Sequence, residues 1–366
     1  MSQTKKTSES TGLAFKRKSL VEQIADTLRS SIRQGVWQDF LPTERSLCGT
    51  MQVSRPVLRR AIHGLQQEGW LSLVRGHPTR IVNPSHGRRS LSKPKRVIML
   101  SCNPLGSLGH WFHVAMDEIR KEVYDFGHRL EFVVDYRLRR NAVAPVLRTL
   151  VQQYEADHWI LISPPLAVQQ WFQEHRLNAV VSGHTFPGIN LPSVDIDLRA
   201  VTRHAAGIFL GLNHRKIVYL ARFSAAAGDL AAEEGFTTAF QTQPDAVIDI
   251  IRHSGHMDQI RSRFVTLFAA PQKPTAILVS HAKDTLAVLT YLLGCKIRVP
   301  QDVSLISVQP DNVFERVFPS PAFYEYDPVK YARLICRLIR NPPSTIQPIR
   351  IIPSFYRGDT LARPGR

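Results

Sequence analysis

Arg55 and Arg59 stand four residues apart directly behind Ser54, in the run Val53-Ser54-Arg55-Pro56-Val57-Leu58-Arg59-Arg60-Ala61. On a helix, that spacing sets both guanidinium groups on one face. They lie at the N-terminal end, the end that meets base edges when a recognition helix enters the major groove. Arginine offers a planar fork matched to the two acceptors of guanine, where lysine is only a point charge. Arg45, a little upstream, is placed to hold a phosphate or reach the groove edge. Arg75, Gly76 and His77 form a basic tip suited to the adjacent minor groove, with Gly76 letting the backbone come close. This is non-covalent chemistry, the reading of a duplex. Catalytic patterns are missing: the 14 histidines are scattered without a Ser or Cys partner pattern, and no His-Glu-x-x-His occurs. No catalytic residue, metal ligand set or cofactor is expected.

Local pattern supplies a frame for these side chains. Ser19 caps a helix with Glu22 closing a capping box. Leu20, Val21, Ile24, Leu28 and Ile32 follow at helical spacing, and Gly35 stops the run. Thr43 caps a short helix over Glu44 to Met51, and Gln52-Val53-Ser54 is its turn. Ser54 then caps a third helix, Arg55 to Glu68, which tolerates Pro56 in its first turn. Leu58, Ala61, Ile62 and Leu65 form the buried stripe of that helix. Leu71–Val74 and Thr79–Val82 read as two strands around the Arg75-Gly76-His77-Pro78 tip. Three helices and a basic-tipped hairpin make a winged helix–turn–helix.

Charge agrees. The chain of 366 residues carries +17, and its first 96 residues hold 18 basic against 6 acidic side chains. The remaining 270 hold 29 and 24. Such asymmetry belongs to a polyanion-binding arm on a nearly neutral body. Residues 1–18 read as a flexible basic arm, 19–83 as the winged domain and 84–95 as a basic linker rich in Ser, Pro and Gly. No apolar run approaches the roughly 18 residues of a membrane span. Four cysteines without ligand spacing fit a reducing cytoplasm.

From residue 96 to 366 the text alternates. Apolar runs at Val97–Ser101, Leu130–Asp135, His158–Ser163, Asn178–Ser182, Ile217–Ala221, Ala246–Ile251, Ala276–Ser280 and Val303–Val308 read as strands. Helical patterns lie between them at Gly109–Phe126, Val143–Tyr154, Arg199–Gly211, Leu230–Phe240 and Lys283–Leu293. This order implies an α/β body of two lobes, each with a parallel sheet covered on both faces and a crevice at the carboxyl ends of its strands. No Gly-x-Gly-x-x-Gly follows a strand and no Gly-Lys-Ser/Thr occurs, so a nucleotide cofactor has no support.

Leu41-Pro42-Thr43-Glu44-Arg45, Val53 through Ala61, and Glu68-Gly69-Trp70-Leu71 make the first domain resemble the head of GntR-type bacterial transcription regulators. The stretch from Gly69 to Thr79 is especially similar to the fatty-acid-responsive branch of that family. The resemblance implies DNA contacts at Arg45, Ser54, Arg55, Arg59, Arg75, Gly76 and His77. Two departures are a shorter loop before Leu41 without Pro-Gly, and Pro56 in place of a threonine. The body, from Arg96 to Asp359, resembles the LacI/GalR-type effector domain, which is related to periplasmic sugar-binding proteins. Its anchors are Asp195-Ile196-Asp197, the run Gly211 to Ile217, Glu234-Gly235-Phe236 and the run Val299 to Ile306.

That resemblance implies a ligand between the lobes and a dimer through lobe faces. By position, the crevice residues are Trp111, Ser163, His184, Asp197, Arg222, His281 and Gln309. Several sugar-hydroxyl partners of the family pattern are replaced, by Ala232, Leu198, His281-Ala282 and Gln309. Either the effector is no ordinary sugar or the cleft has lost its ligand. The expectation is therefore a cytoplasmic, homodimeric regulator, a repressor, that binds a pseudo-palindromic operator in double-stranded DNA. Its affinity would be set by a small metabolite, with a sugar as one candidate. A ligand-free cleft, or a sugar-binding protein that does not act on DNA, is the alternative.

Overall fold

The computed structural model describes residues 19–33, 36–37, 40–73, 79–82, 94–140, 142–224, 226–343 and 345–365. The arm 1–18, the tip residues Arg75, Gly76 and His77, and most of the linker 84–95 fall outside the described residues. The chain divides into two compact units, Met1–Ser92 and Lys93–Arg366.

The first unit holds α1 (Leu20–Arg33), α2 (Glu44–Met51), α3 (Arg55–Gln67), β1 (Leu71–Ser72) and β2 (Arg80–Ile81). The capping box forms: the Ser19 amide donates to Glu22 Oε2 at 2.8 Å, and the Glu22 amide to Ser19 Oγ at 3.3 Å. Thr43 Oγ1 accepts from the Ser46 amide at the start of α2. Ser54 sits at the N-cap of α3 but makes no side-chain hydrogen bond to the helix. Leu28, Leu47, Leu58 and Leu65 close the core at 0–2 % exposure. Leu20 departs from the expected stripe and is 55 % exposed, since it opens α1 beyond the reach of α3. Arg29 on α1 clamps Glu68, just past α3, with two hydrogen bonds of 3.0 and 2.7 Å. The two strands pair antiparallel, Leu71 with Ile81, and Phe40 bridges Arg80 as a further antiparallel contact.

The second unit holds two six-stranded sheets. The first contains β3 (Arg96–Ser101), β4 (Arg129–Val134), β5 (His158–Ile162), β6 (Ala179–Ser182), β7 (Ser193–Ile196) and β13 (Ile349–Ile351), in the order β13-β7-β6-β5-β3-β4, all parallel. The second contains β8 (Lys216–Arg222), β9 (Val247–His253), β10 (Ala276–Val279), β11 (Ser304–Ser307), β12 (Ala322–Glu325) and β14 (Ser354–Tyr356). Its order is β14-β12-β11-β10-β8-β9, and only β14 runs antiparallel to its neighbour. Strands buried on both faces explain the continuous apolar runs: Val97, Met99, Ile160, Leu161, Ile277 and Leu278 are all fully buried.

Helices α4 (His110–Asp125), α5 (Ala144–Tyr154) and α6 (Leu166–Glu174) belong to the first lobe. Helices α7 (Leu198–Gly211), α8 (Ala227–Thr238), α9 (Met257–Ala269) and α10 (Ala282–Gly294) belong to the second. The chain crosses between lobes three times: after β7, after β12 and between β13 and β14. The second crossing returns through α11 (Pro328–Arg340), which packs on α4 and against β6 and β7. Only two residues, Ile352 and Pro353, make the third.

Two glycines separate packing from propensity. At Gly235, where α8 lies on α7, a Cβ would collide with the Arg199 carbonyl and come within 2.6 Å of Thr202 Oγ1. At Gly64 on α3 a Cβ meets nothing within 4 Å. Gly235→Ala is expected to lower the thermal midpoint, at a cost of about 1–3 kcal/mol from overpacking. Gly64→Ala should raise it by up to about 1 kcal/mol of helix propensity. Thermal unfolding followed by circular dichroism checks both signs.

Candidate functional site

The first unit presents its cations outward. Arg45, Arg55 and Arg59 are exposed, the first on α2 and the others on α3, and Ser54 is exposed beside them. Arg59 is also held: its Nε donates to Glu44 Oε1 and Oε2 at 3.0 and 2.9 Å, and Nη2 lies 2.9 Å from Oε2. Glu44 opens α2, so this ion pair ties the two helices of the helix–turn–helix. It engages the Nε edge of the guanidinium and leaves Nη1 facing away. Side-chain exposures of 66 % and 36 % keep the pair weak, of the order of 1 kcal/mol or less. It therefore orients Arg59 without trapping it.

The second unit encloses a cavity of about 320 Å³ at the carboxyl ends of the strands, between the lobes. Six of the seven crevice residues expected from the sequence line it together: Trp111, Ser163, His184, Arg222, His281 and Gln309. The seventh, Asp197, does not. It sits at the N-cap of α7, where its carboxylate accepts the Ala200 amide at 2.9 Å, so capping occupies it. Asp195, two residues earlier on β7, lines the cavity instead. Asp229, Asn103, Tyr326 and Tyr331, which the sequence pattern does not single out, line it too. Asp195 belongs to an anchor already noted, and the helix that starts after Asp197 is what takes that second carboxylate away from the cavity. Asp229 opens α8, a helix expected to start only at Leu230.

Each wall has a structural cause. Trp111 stands edge-on to Tyr326 and Tyr331, with ring centroids 5.1 and 5.3 Å away. The Tyr331 hydroxyl is 2.8 Å from Ser182 Oγ and donates to the Val194 carbonyl at 3.2 Å. Ser163 adopts φ 41°, a left-handed conformation uncommon outside glycine, at the turn after β5. On the second lobe, Arg222 grips Asp284 through two bonds, Nε to Oδ2 at 3.0 Å and Nη2 to Oδ1 at 3.2 Å. Its charge is thereby spent inside the wall. His253 lies behind, 1 % exposed, with Nε2 3.6 Å from Asp284 Oδ2. Burial, with the Arg222 cation adding to it, pushes His281 down to about 4.

On the opposite side, His184 Nδ1 lies 2.5 Å from Asp195 Oδ2. Arg350 lies behind Asp195, with its own charge disfavoured by burial. Burial raises the Asp229 pKa, and the Asp195 and Glu233 carboxylates raise it further. The lobes touch here. A Cβ on Gly228 would stand 3.2 Å from His184 Nδ1 and 3.4 Å from Asp195 Oδ2. At the mouth, Lys283 Nζ on α10 donates to the Gly106 carbonyl of the first lobe at 3.1 Å.

Comparison with known proteins follows this division. Residues 20–81 match the model for bacterial regulatory proteins of the gntR family, and residues 206–361 match a periplasmic binding protein-like domain. The chain carries a gntR-family helix–turn–helix domain at its N-terminus and a periplasmic-binding-protein-like domain in its C-terminal part. The head is 36 % identical over 58 residues to the fatty acid metabolism regulator protein of Haemophilus influenzae strains, including Rd and PittEE. That match covers 14 % of this chain and 24 % of the relative, about a quarter of its length. The body shares its fold with a LacI-family regulatory protein from Chloroflexus aggregans, with a TM-score of 0.63 and 19 % identity over 72 % of this chain and 98 % of that one. It shares it too with the regulator CcpA of Lactococcus lactis, with a TM-score of 0.62 and 14 % identity over 73 % and 99 %. Among the described residues, no helix is long and apolar enough to cross a membrane.

The buried histidines give the body a pH signature. His281, His253, His214, His158 and His128 all have pKa values lowered chiefly by burial. The unfolded chain takes up protons near the ordinary value of about 6.5 while the folded body resists. Stability is therefore present above that value and is lost as pH falls from there toward 4. Urea midpoints measured between pH 7.5 and 4.5 should drop steadily. By NMR, His281 should stay neutral at pH 5.5.

Proposed function

We propose that this chain is a sequence-specific, DNA-binding transcription regulator whose operator affinity is set by a small metabolite held between the lobes of the body. The observation that carries this reading is the pairing of an exposed arginine face on α3, in a GntR-family head, with an enclosed polar cavity in a binding-protein-like body. Arg55 and Arg59 read base edges, Arg45 and Ser54 grip the backbone, and Arg75, Gly76 and His77 enter the neighbouring minor groove. Glu44 presents Arg59 with its outer edge toward the duplex. Trp111, Ser163, His184, Arg222, His281 and Gln309 receive the effector, with Asp195 taking the place first given to Asp197.

The regulator acts as a homodimer in the cytoplasm, on a pseudo-palindromic operator, and represses by occupying the site. Two copies double the groove contacts at half-sites one helical turn apart. Exposed apolar side chains on the body, Tyr124 on α4 at 72 % and Leu293 on α10 at 77 %, support pairing through lobe faces.

Arg55→Ala and Arg59→Ala should each cost about 1–3 kcal/mol on the enriched operator in a gel-shift series, with thermal stability unchanged. Glu44→Gln should cost less than Arg59→Ala, because it removes only the orienting partner. Equal affinity of wild type and both arginine variants would overturn the assignment of α3. Affinity should fall steeply as salt rises, with a log–log slope near −0.9 per phosphate neutralised. The full chain should sediment at twice the chain mass; a monomer at micromolar concentration would remove the homodimer.

A further inference from the structure

The charges inside the cleft do not balance, and the imbalance indicates what fills it. Arg222 is the cation on the cavity wall, and Asp284 already neutralises it through two hydrogen bonds. Asp195 has His184 against it and Arg350 behind it. Asp229 has neither. Among the described residues no cation lies within ion-pair distance of it, and the charges nearest to it include the carboxylates of Asp195 and Glu233. Glu233 is itself engaged by Arg252. Asp229 comes from α8 in the second lobe and Asp195 from β7 in the first, so lobe closure brings two carboxylates toward one another. Gly228 marks how close that approach is: only hydrogen stands where a Cβ would press on His184 and Asp195. Opposite lies the Trp111 ring, and Ser163, Asn103 and Gln309 offer hydroxyl-directed hydrogen-bonding groups.

We propose that the effector is an amine-bearing polyol, an amino sugar in its simplest form, whose ammonium sits against Asp229 and Asp195 while its ring packs on Trp111. A protonated amine supplies the missing cation, and it does so best when the lobes are shut, so its charge drives closure. Neutral sugars leave the carboxylates facing each other. Phosphorylated sugars and carboxylates add a third anion. The proposal rests on the cleft being the effector site, and 320 Å³ is room for a single hexose.

Three hexoses that differ in charge test it: glucosamine, glucose and glucose 6-phosphate, titrated into the full chain at pH 7 by calorimetry and thermal shift. Glucosamine should bind at least tenfold more tightly than glucose, with glucose 6-phosphate weakest. Asp229→Asn should erase the preference for glucosamine, and Asp195→Asn, a second near-isosteric change, should weaken it. Equal or tighter binding of glucose or glucose 6-phosphate, lost in Trp111→Ala and in Gln309→Ala, would overturn the amine while leaving the cleft as effector site. Binding that survives both of those substitutions would overturn the cleft itself. No binding by any of the three overturns the amino sugar assignment.

Discussion

The hydroxyl of Tyr331 holds the body in register. It is fully buried, bonded to Ser182 Oγ at the end of β6 and to the carbonyl of Val194 in β7. A buried hydroxyl without partners would be costly, so satisfying it fixes where the returning helix α11 docks. That docking places Tyr331 and Tyr326 edge-on to Trp111, making the aromatic floor of the cleft. It also seats the basic, polar side of α11 outward, with Arg333 and Arg337 exposed and Ile335 and Cys336 buried. The second of the three lobe crossings is thus a fitted joint. The third, Ile352–Pro353, is too short to permit more than a bend. Relative motion of the lobes is left to the backbone between such anchors, which suits a hinge closure around a ligand.

Charge is partitioned between the two units in opposite senses. In the head, exposed arginines face water, and Glu44, the partner of Arg59, is itself half-exposed. In the body, Arg222 is matched inside the wall by Asp284, and buried Arg350 feels the carboxylates of Asp195 and Asp197. Burial strengthens electrostatics, so an unmatched charge there costs far more than one on the head. Asp229 carries that cost, with its ionised form disfavoured by burial and by neighbouring carboxylates. A perturbed group of this kind inside a cavity is a candidate functional position.

Much of this was legible in the sequence, and the omissions have physical causes. The helices of the head were readable at short range, apart from Leu20 and the Ser54 cap: the capping box at Ser19 and Glu22, the Thr43 cap and the stripe Leu58–Leu65 depend on neighbours close along the helix. The eight apolar runs became strands within a residue or two; most are buried on both faces, and the edge strands β4 and β9 alternate instead. The elements not foreseen were β7, β12, β13, β14, α6, α9 and α11. The four strands are three or four residues long, and β13 and β14 exist only because distant segments pair with them. Helix α11 shows clear helical spacing, yet it follows β12 where a strand–helix rhythm confined to one lobe gives no hint of a return to the other. The Asp195–Asp197 exchange has the same root. Both carboxylates sit at the end of β7, and only the start of α7 decides that one caps and the other faces the cavity.

A ligand moves this protein between states only through the difference in its affinity for them. The closed arrangement supplies two such differences. The contact of Lys283 with the Gly106 carbonyl favours closure, being a charge-assisted hydrogen bond across the mouth. The approach of Asp229 to Asp195 opposes it. The first is exposed and therefore weak; the second lies in the enclosed cavity and is strengthened by it. An empty cleft is thus biased toward opening. A bound cation removes the opposing term and keeps the favourable one, so its preference for the closed state sets the shift in population. Switches of this kind need about 1–3 kcal/mol of coupling, and one desolvated carboxylate pair is of that order. The device therefore requires no change in either hydrophobic core. It leaves the lobes rigid, and it confines the cost of switching to the few side chains that meet across the gap.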